Sequence, residues 1–345
     1  MKKVLVAMSG GVDSSVTAYL LKEQGYDCIG VTMKLYDGED QRESTCCSLR
    51  DVEDAKSVCH RLGIPHYTFN FTGDFDREVI EPFVKSYEQG RTPNPCIDCN
   101  RRLKFQRLYH RALELGCDYI ATGHYVRRVE AADGTVTLHK AVDADKEQSY
   151  VLYNMTQEQL KRTLFPLGEL TKTEVREIAQ REGFLNAKKH DSQDICFVPD
   201  GDYAAFIQEY TGKTYIPGPV YDVEGNKLGT HRGIIHYTIG QRKGLGLALG
   251  TPMYVKATDA EKNTVTLATN DQLFSSKVYA EHLSPALPTV GSAHGEGLHA
   301  VGQTTAGLNE VGQQNARRLS IGNERTVLDV ADTVLSVEHR LLRER

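Results

Sequence analysis

The chain lacks a hydrophobic run near its start that is long enough for a secretion signal or a membrane span. Its first apolar stretch runs from Lys3 to Met8 and stops at Ser9-Gly10-Gly11. A membrane-spanning helix needs about 20 apolar residues, and the apolar part of a signal peptide needs about 7 to 15. We therefore expect a cytoplasmic protein that makes no use of a membrane.

The chain also lacks an excess of positive charge. Its 41 basic and 46 acidic residues give a formal net charge of −5 at pH 7, whereas indiscriminate nucleic-acid binding usually requires a basic balance. Local basic clusters are present at residues 101–111, at Lys188-Lys189-His190 and at Arg242-Lys243. Such clusters ordinarily form a solvated surface. The composition therefore argues against indiscriminate nucleic-acid binding and leaves only binding through local basic patches open.

Cysteine is too sparse for a fold held together by disulfides. The eight cysteines lie at positions 28, 46, 47, 59, 96, 99, 117 and 196 of 345 residues, unlike the dense frameworks of small secreted proteins. We expect Cys28, Cys59 and Cys117 to pack inside strands or helices. Cys46 and Cys47 fall in a polar loop, 36–48, and adjacent cysteines do not indicate a metal site by spacing alone.

Aromatic residues and cysteine are absent from residue 280 to the end, and residues 291–315 show no strand period. A β-barrel must close its sheet to remove exposed edges. We therefore expect weakened or absent closure of a barrel in this region, and we assign no function to residues 300–345.

What the first 125 residues contain is an α/β pattern with a parallel sheet. Short apolar runs predict strands at 4–8, 28–33, 66–71 and 119–122, and helical periods fall at 15–24, 49–62, 74–89 and 101–115. Parallel sheets bind ligands beyond the carboxyl ends of their strands. Ser9 to Asp13, Lys34 and Gly123-His124 follow three such ends, so we expect them to meet in one crevice.

The remaining chain divides into smaller parts. A hairpin is predicted at 125–141 and helices at 156–163, 171–183 and 201–211, and from Tyr215 short β-like segments with frequent glycine predict a small antiparallel barrel or sheet. The expected domains are the α/β domain at 1–165, a helical connecting domain at 166–214, a β-barrel-like domain at 215–290 and an atypical tail at 291–345.

The segment Ser9-Gly10-Gly11-Val12-Asp13-Ser14 lies between the first strand and the first helix. Two adjacent glycines allow a tight turn that brings backbone N–H groups against phosphate oxygens, and the helix N-terminus adds partial positive charge. The segment is neither a Walker A loop nor the G-x-G-x-x-G pattern. It predicts a pyrophosphate-type loop. The simpler alternative is a glycine-rich turn in which Asp13 or Ser14 caps the helix.

Two cysteines stand in unusual surroundings. Cys99 ends a C-x-x-C in a loop with two prolines, and we expect a helix to begin near Asn100, which would place Cys99 at its N-terminus beside Arg101 and Arg102. Such a site favours the reactive thiolate. Cys196 follows polar residues 191–194, which suggests a loop that enters a strand at an accessible edge.

The chain resembles the tRNA-specific 2-thiouridylases of the MnmA/TrmU family, which belong to the N-type ATP pyrophosphatase (PP-loop) superfamily. Seven segments carry the resemblance and cover roughly residues 3–280 in the family's order. They are Ala7–Ser15, Gly90–Pro95, Ala121–Tyr125, Lys146–Tyr150, Leu164–Gly168, Asp194–Phe197 and His236–Gly246.

The resemblance implies an adenine-nucleotide α-hydrolase-like fold and ATP-dependent 2-thiolation of the wobble uridine of tRNA. ATP, expected with Mg²⁺, adenylates the C2 oxygen and releases pyrophosphate, and a sulfur nucleophile then displaces AMP. Cys196 would carry the persulfide, Cys99 would be the nucleophile, a Cys99–Cys196 disulfide would be an alternate state, and Asp13 would support the phosphate loop. The sulfur would come from a donor protein, either a cysteine desulfurase or a relay protein.

The resemblance also assigns binding residues by position. Those expected to bind ATP are Ala7, Met8, Ser9, Gly10, Gly11, Val12, Asp13, Ser14, Met33 and Gly123. Those expected to bind tRNA are Asn94, Pro95, Cys96, Ile97 and Asp98 at the target base, with His124, Lys146, Glu147 and Gln148 elsewhere. Lys188-Lys189 and the 101–111 cluster would meet tRNA phosphates.

Two departures from the family pattern leave alternatives open. Cys96 stands where many members have aspartate, so Cys96, Cys99 and Cys196 could hold a [4Fe-4S] cluster or a zinc ion. The aromatic residues of the family's closing barrel strands and its basic tRNA contact are missing after residue 290. A GMP or argininosuccinate synthetase would explain the loop without the cysteines, and a tRNA-binding or metal-sensing protein could use the loop as a nucleotide switch.

Overall fold

The computed structural model describes residues 1–36, 49–191, 195–198 and 201–274, and the backbone of two short strands at 277–278 and 328–329. The described chain forms two units. The first consists of Met1–Glu81 and Pro95–Gly201, and the second of Pro82–Asn94 and the described residues from Asp202 onward. No helix in these ranges combines the length and the apolarity needed to cross a membrane.

The first unit is built on a five-stranded parallel sheet, which confirms the predicted fold class. Its strands are β1 (Lys3–Ala7), β2 (Asp27–Lys34), β3 (His66–Asn70), β4 (Tyr119–Ala121) and β7 (Thr163–Leu164), in the order β3-β2-β1-β4-β7. Val4, Leu5 and Val6 of β1 are fully buried, as expected of a central strand covered on both faces. The hairpin strands β5 (Val126–Glu130) and β6 (Val136–Lys140) form a separate two-stranded sheet, as predicted.

The order of the strands locates the ligand crevice. From β1 the chain moves outward through β2 to β3, and it then returns to pair β4 on the other side of β1. In open α/β sheets, ligands bind where the strand order reverses in this way, outside the carboxyl ends of the strands. The segments after β1 and β4 therefore border the expected site.

The helices mostly follow the predicted segments. Their bounds are α1 (Val12–Glu23), α2 (Leu49–Leu62), α3 (Thr72–Phe75), α4 (Glu81–Glu88), α5 (Pro95–Asp98), α6 (Tyr109–Glu114), α7 (Gln157–Lys161), α8 (Lys172–Arg181) and α9 (Tyr203–Thr211), with π-helices at Asp76–Ile80 and Cys99–Leu108 and 3₁₀ turns at Ser149–Val151, Ile234–His236 and Asn270–Leu273.

The helix that carries Cys99 begins earlier than the sequence indicated. It starts at Pro95, and α5 continues directly into the π-helix of Cys99–Leu108. Proline suits the first position of a helix because its fixed φ is already helical and its missing N–H would have had no partner there. The expectation that Cys99 lies at a helix N-terminus near Asn100 is wrong, and the charge of a helix end, which fades after the first turn, does not act on it as expected.

The second unit contains a four-stranded sheet with its own small core. The strands are β8 (Gly218–Asp222), β9 (Lys227–His231), β10 (Tyr254–Asp259) and β11 (Thr264–Ala268), in the order β10-β11-β8-β9. The two hairpins join through a parallel β11–β8 pairing, so the sheet is mixed rather than antiparallel as expected. The last strands that the structure describes, β12 (Lys277–Val278) and β13 (Leu328–Asp329), pair antiparallel.

Some expectations are not addressed by this architecture. Most of the polar 36–48 loop, with Cys46 and Cys47, lies outside the described residues, as does nearly all of the C-terminal tail. Residues 166–201 belong to the first unit and residues 82–94 to the second. The division into four domains stays a prediction.

Candidate active site

The segment between β1 and α1 is a loop that only glycine can complete at one position. Gly10 has φ +71°, and a Cβ atom there would overlap the backbone of Asp51. Gly11 is the N-cap of α1, which has no side-chain cap, so neither Asp13 nor Ser14 acts as the ordinary cap of the alternative interpretation. The first N–H groups of a helix have no partners within it, and this end of α1 suits an anion.

Serine hydroxyls fix the shape of the loop from inside. The Ser14 hydroxyl accepts a hydrogen bond from the Ser9 N–H at 3.2 Å and donates to the Gly11 carbonyl at 3.0 Å. Ser15 also donates to the Gly11 carbonyl, at 2.9 Å. Ser14 and Ser15 are almost fully buried, so these bonds are shielded from competing water.

Asp13 is held by two residues from distant parts of the chain. Its Oδ1 accepts hydrogen bonds from the Tyr125 hydroxyl at 2.9 Å and from the Lys172 ammonium at 2.7 Å. Burial and the nearby Asp13 carboxylate raise the pKa of Tyr125, so the phenol stays protonated as a donor. Asp13 is thus tied to Tyr125 and Lys172 by hydrogen bonds, and its role as a support of the phosphate loop stays a prediction.

Asp191 is the second acidic centre, and cations surround it. Its carboxylate lies 2.8 Å from Lys146, 2.7 Å from Lys172 and 3.0 Å from Arg176. Burial alone would raise the pKa of Asp191, but the hydrogen bonds from Lys146 and Lys172 outweigh it and lower the pKa. Lys172 thus bridges Asp191 to Asp13 of the phosphate loop, and its side chain is only 12% exposed.

The far side of the loop is anchored to a helix and to the segment after α8. Lys189 contacts Asp51 at 2.5 Å and Asp54 at 2.7 Å, and it donates to the Gly10 carbonyl. Asn186 is buried and donates to the same carbonyl at 2.9 Å. Lys189 was expected to meet tRNA phosphates, but the structure engages its ammonium with these two carboxylates.

Of the other residues expected at ATP, the structure brings Gly123 directly to the loop. It follows β4, and a Cβ atom at Gly123 would lie 2.9 Å from the Asp13 carbonyl carbon. Met33 lies at the carboxyl end of β2 and is buried. The N–H of Met8, which directly follows β1, donates a hydrogen bond to the Val31 carbonyl of β2 at 2.8 Å. Ala7 ends β1, and Val12 and Asp13 begin α1. The ATP assignments themselves stay predictions.

Helix α3 contacts both the segment that carries Cys196 and the helix that carries Cys99. Phe75 packs against Phe197, next to Cys196, with ring centroids 5.7 Å apart. Asp74 lies 3.3 Å from Arg107 on the Cys99 helix. Cys99 and Cys196 are half-buried and Cys96 is exposed, and all three lie outside any disulfide.

The cysteines do not form a metal site in this structure. Among the described residues, which include Cys96, Cys99 and Cys196, no three histidine, cysteine, aspartate or glutamate side chains are placed to hold a metal ion. A [4Fe-4S] cluster or a zinc ion needs its thiolates gathered around one centre. The cluster interpretation is therefore not supported.

Several residues that are expected to bind tRNA make contacts with other residues of the protein. His124 is 7% exposed, its Nδ1 lies 2.6 Å from the Thr122 hydroxyl, and burial lowers its pKa well below the ordinary value. Glu147 is buried and accepts from the Ser149 N–H at 2.6 Å, and Gln148 accepts from the Tyr125 N–H at 3.1 Å. Lys146 is paired with Asp191.

The target-base segment spans two structural settings. Asn94 ends the 82–94 stretch, while Pro95 and Ile97 are buried in α5 and Cys96 is exposed. Burial raises the pKa of Asp98, partly offset by Arg102 and Arg101. Whether these residues contact tRNA is not tested by the geometry, so the assignments stay predictions.

Lys172, Arg176 and Asn186 are members of the site that the sequence did not reveal. One local feature of the sequence could have pointed to Lys172. Thr171 and Glu174 form a capping box, which places Lys172 at the first position of α8. A cation is unfavourable at a helix N-terminus, and such a residue needs acidic partners elsewhere.

Two family models match most of this chain. The family model described as tRNA methyl transferase HUP domain matches residues 2–200, and the model described as tRNA methyl transferase PRC-barrel domain matches residues 204–269. A solved 4-thiouridine synthetase–RNA complex with bound ATP is 18% identical with a TM-score of 0.40, and the match covers 60% of this chain and 50% of that chain.

Curated relatives are much more similar. The tRNA-specific 2-thiouridylase MnmA of Lachnoclostridium phytofermentans is 54% identical over 288 residues, which cover 82% of this chain and 81% of that protein. The protein of the same name from Heliobacterium modesticaldum is 53% identical over 285 residues, which cover 81% and 74%. With this identity over most of both chains, and with the phosphate loop and both cysteines in place, the chain belongs to the MnmA family of tRNA-specific 2-thiouridylases.

Proposed function

We propose that this protein is an ATP-dependent sulfurtransferase that replaces the C2 oxygen of the wobble uridine of tRNA with sulfur. The observation that carries the proposal is the joint presence, in one unit, of the phosphate loop braced by Asp13, Lys172 and Asn186 and of two half-buried cysteine thiols, Cys99 and Cys196. The loop supplies an activation step, and the thiols supply a sulfur nucleophile.

Activation is needed because a carbonyl oxygen is a poor leaving group. The C2 oxygen of the uridine attacks the α-phosphorus of ATP, the bond between the α- and β-phosphates breaks, and pyrophosphate leaves as N3 gives up its proton. The N–H groups at the start of α1 would hold the departing pyrophosphate. Lys172 would add a positive charge where negative charge develops. Mg²⁺ is expected to enter as part of the nucleotide substrate.

Sulfur transfer then follows with balanced electrons. The terminal sulfur of a Cys196 persulfide attacks C2, the C2–O bond breaks, and AMP leaves. The Cys99 thiolate attacks the Cys196 sulfur and breaks the S–S bond, which leaves C2=S on the base, returns the proton to N3 and joins Cys99 to Cys196. The Cys99 thiolate is oxidised while the transferred sulfur is reduced, and the sulfur of Cys196 passes from a persulfide to a disulfide without a change in oxidation state.

A second cycle needs two further reactants. A thiol reductant must reopen the Cys99–Cys196 disulfide, and a persulfide donor protein, such as a cysteine desulfurase or a relay protein, must reload Cys196. The partial exposure of Cys196 is compatible with access by a protein-borne persulfide, because thiol exchange requires an accessible sulfur.

Recognition of the tRNA would use an extruded base. Sequence-specific RNA recognition favours unpaired bases that can be read along their edges. The segment Asn94 to Asp98 precedes Cys99 directly in the sequence. A base bound by this segment would therefore contact residues adjacent to the proposed nucleophile. Lys146, Glu147, Gln148 and His124 would complete the tRNA contacts.

The decisive experiment combines two products. The purified chain is incubated with ATP, Mg²⁺, tRNA and a persulfide source, and AMP, pyrophosphate and the tRNA nucleosides after digestion are measured. We expect AMP and pyrophosphate to form together with 2-thiouridine at the wobble position. Formation of ADP, or of AMP without thiolated nucleoside, would contradict the proposal.

A further inference from the structure

The stretch of chain that leads to the target-base segment packs within the second unit, although its sequence lies inside the first. Tyr87 of α4 stacks on Tyr203 of α9 with centroids 4.6 Å apart. Glu88 accepts hydrogen bonds from Lys213 at 2.6 Å and from the Tyr215 hydroxyl at 2.8 Å. The position of residues 82–94 is thus set by elements that follow residue 202.

The turn at Gly90 is the point where this stretch leaves its helix. Gly90 has φ +72°, its N–H donates to the Tyr87 carbonyl at 2.9 Å, and the next N–H, of Arg91, donates to Ser86 at 2.8 Å. The carbonyl of Gly90 accepts a hydrogen bond from the Thr258 hydroxyl at 2.5 Å. A Cβ atom at Gly90 would lie 2.9 Å from that hydroxyl, so the contact is close on both sides.

Thr258 reaches Gly90 because of an irregularity in β10. Val255 pairs with Leu267 and Thr258 pairs with Val265, with a β-bulge between Val255 and Ala257. Leu267 and Val265 are two residues apart and share a face, so the extra residue in β10 turns Thr258 to the same face as Val255. Bulges re-aim side chains in this way, and Thr258 is 4% exposed.

The loop beyond Gly90 contains one buried hydroxyl without a partner. The Thr92 hydroxyl is buried and has no hydrogen-bond partner among the described residues, so this side chain does not hold the loop in place. Pro93 fixes its own φ and restricts the residue before it. A displacement at Gly90 would therefore be carried toward Asn94 rather than absorbed between them.

We propose that Thr258 is a positioning residue for thiolation: its hydroxyl fixes the Gly90 carbonyl and thereby the Asn94 end of the target-base segment. The proposal rests on the proposed function, because it takes Asn94 as a residue that meets the base. It gives the second unit a task in the reaction beyond packing, since the same β10 bulge that shapes its sheet sets the start of the base-binding segment.

The test replaces the hydroxyl and keeps the shape. Full-length Thr258→Val is compared with Thr258→Ser, which retains the hydroxyl. The control is Thr266→Val on the neighbouring strand β11, on the face of the sheet opposite to Thr258. For each variant, kcat and KM for tRNA thiolation, the ATP dissociation constant and the melting temperature are measured. We expect Thr258→Val to lower kcat by about tenfold, the scale of a small misplacement of reacting groups, while ATP binding stays within about twofold and Thr258→Ser restores kcat.

The outcomes are distinguishable. If Thr258→Val thiolates tRNA as fast as the parent, or if Thr266→Val loses kcat to the same extent, the positioning role is refuted. If the loss in kcat disappears at temperatures well below the melting point of the variant, the hydroxyl is structural only and the proposal is again wrong. If the parent protein itself forms no 2-thiouridine, the proposed function fails instead.

Discussion

The ammonium group of Lys172 lies 2.7 Å from Oδ1 of Asp13, although 159 positions separate the two residues along the chain. The same ammonium contacts Asp191. A cation held between two carboxylates at the mouth of a phosphate loop offsets their charge, which would otherwise repel a nucleotide. The pair therefore links the fold of the first unit to its affinity for a polyanion.

Lys172→Met is expected to weaken ATP binding by about tenfold or more, because hydrogen bonds to charged groups contribute about 1.5–3 kcal/mol and 1.4 kcal/mol is tenfold in affinity. The measurement is the ATP dissociation constant by calorimetry. Lys161→Met, at an exposed position of α7, is the matched control and should bind as the parent does. Equal affinities for the Lys172 variant and the parent would show that the ammonium does not serve the nucleotide.

Gly10→Ala is expected to abolish ATP binding, because a Cβ atom there would overlap the Asp51 backbone. Gly25→Ala is the matched control. Gly25 has φ +82° but nothing within 4 Å of its Cβ position, so it should lose only the roughly 1–2 kcal/mol of a left-handed residue. Melting temperature and ATP affinity are measured for both. A Gly10 variant that binds ATP no worse than the Gly25 variant would contradict the role assigned to close packing.

Cys99→Ala and Cys196→Ala should each abolish 2-thiouridine formation while ATP binding remains, because the proposed steps need both thiols but the nucleotide needs neither. Cys96→Asp should retain thiolation, since the described residues show no metal group that would need this thiol. Cys117→Ala, at a buried position, is a packing control. Loss of ATP binding in the Cys99 or Cys196 variant would mean that the thiol is structural.

Acid should destabilise the fold below about pH 6.5. Burial lowers the pKa of His124 well below its ordinary value of 6.5, and His66, His231 and His236 are shifted in the same direction. Between the lowered and the ordinary pKa the unfolded chain binds more protons than the folded one, so the free energy of unfolding falls as pH falls.

Denaturant unfolding at about pH 7.5 and about pH 5.5 measures this effect. His124→Asn, which keeps a polar group near the Thr122 hydroxyl but does not titrate, should lose less stability over this interval than the parent. An identical loss in both proteins would assign the acid sensitivity to other groups.

Local sequence determined much of the first unit. β1 is a run of apolar residues followed at once by Ser9-Gly10-Gly11, and such a strand-loop-helix signal depends only on neighbouring residues, so its position and type could be predicted. The start of the Cys99 helix was harder. Pro95 is compatible both with a loop and with the first turn of a helix, and only the structure shows that it begins α5.

What the sequence by itself determined is the family, the α/β pattern and the residue types that phosphate and sulfur chemistry require, because these signals are local or rest on ordered motifs. The tertiary structure decided which distant residues complete the site. Lys172 meets Asp13, and Thr258 meets Gly90, because strand order and one β-bulge bring them together. Pairing across more than a hundred residues is set by packing of whole elements, and no local pattern encodes it.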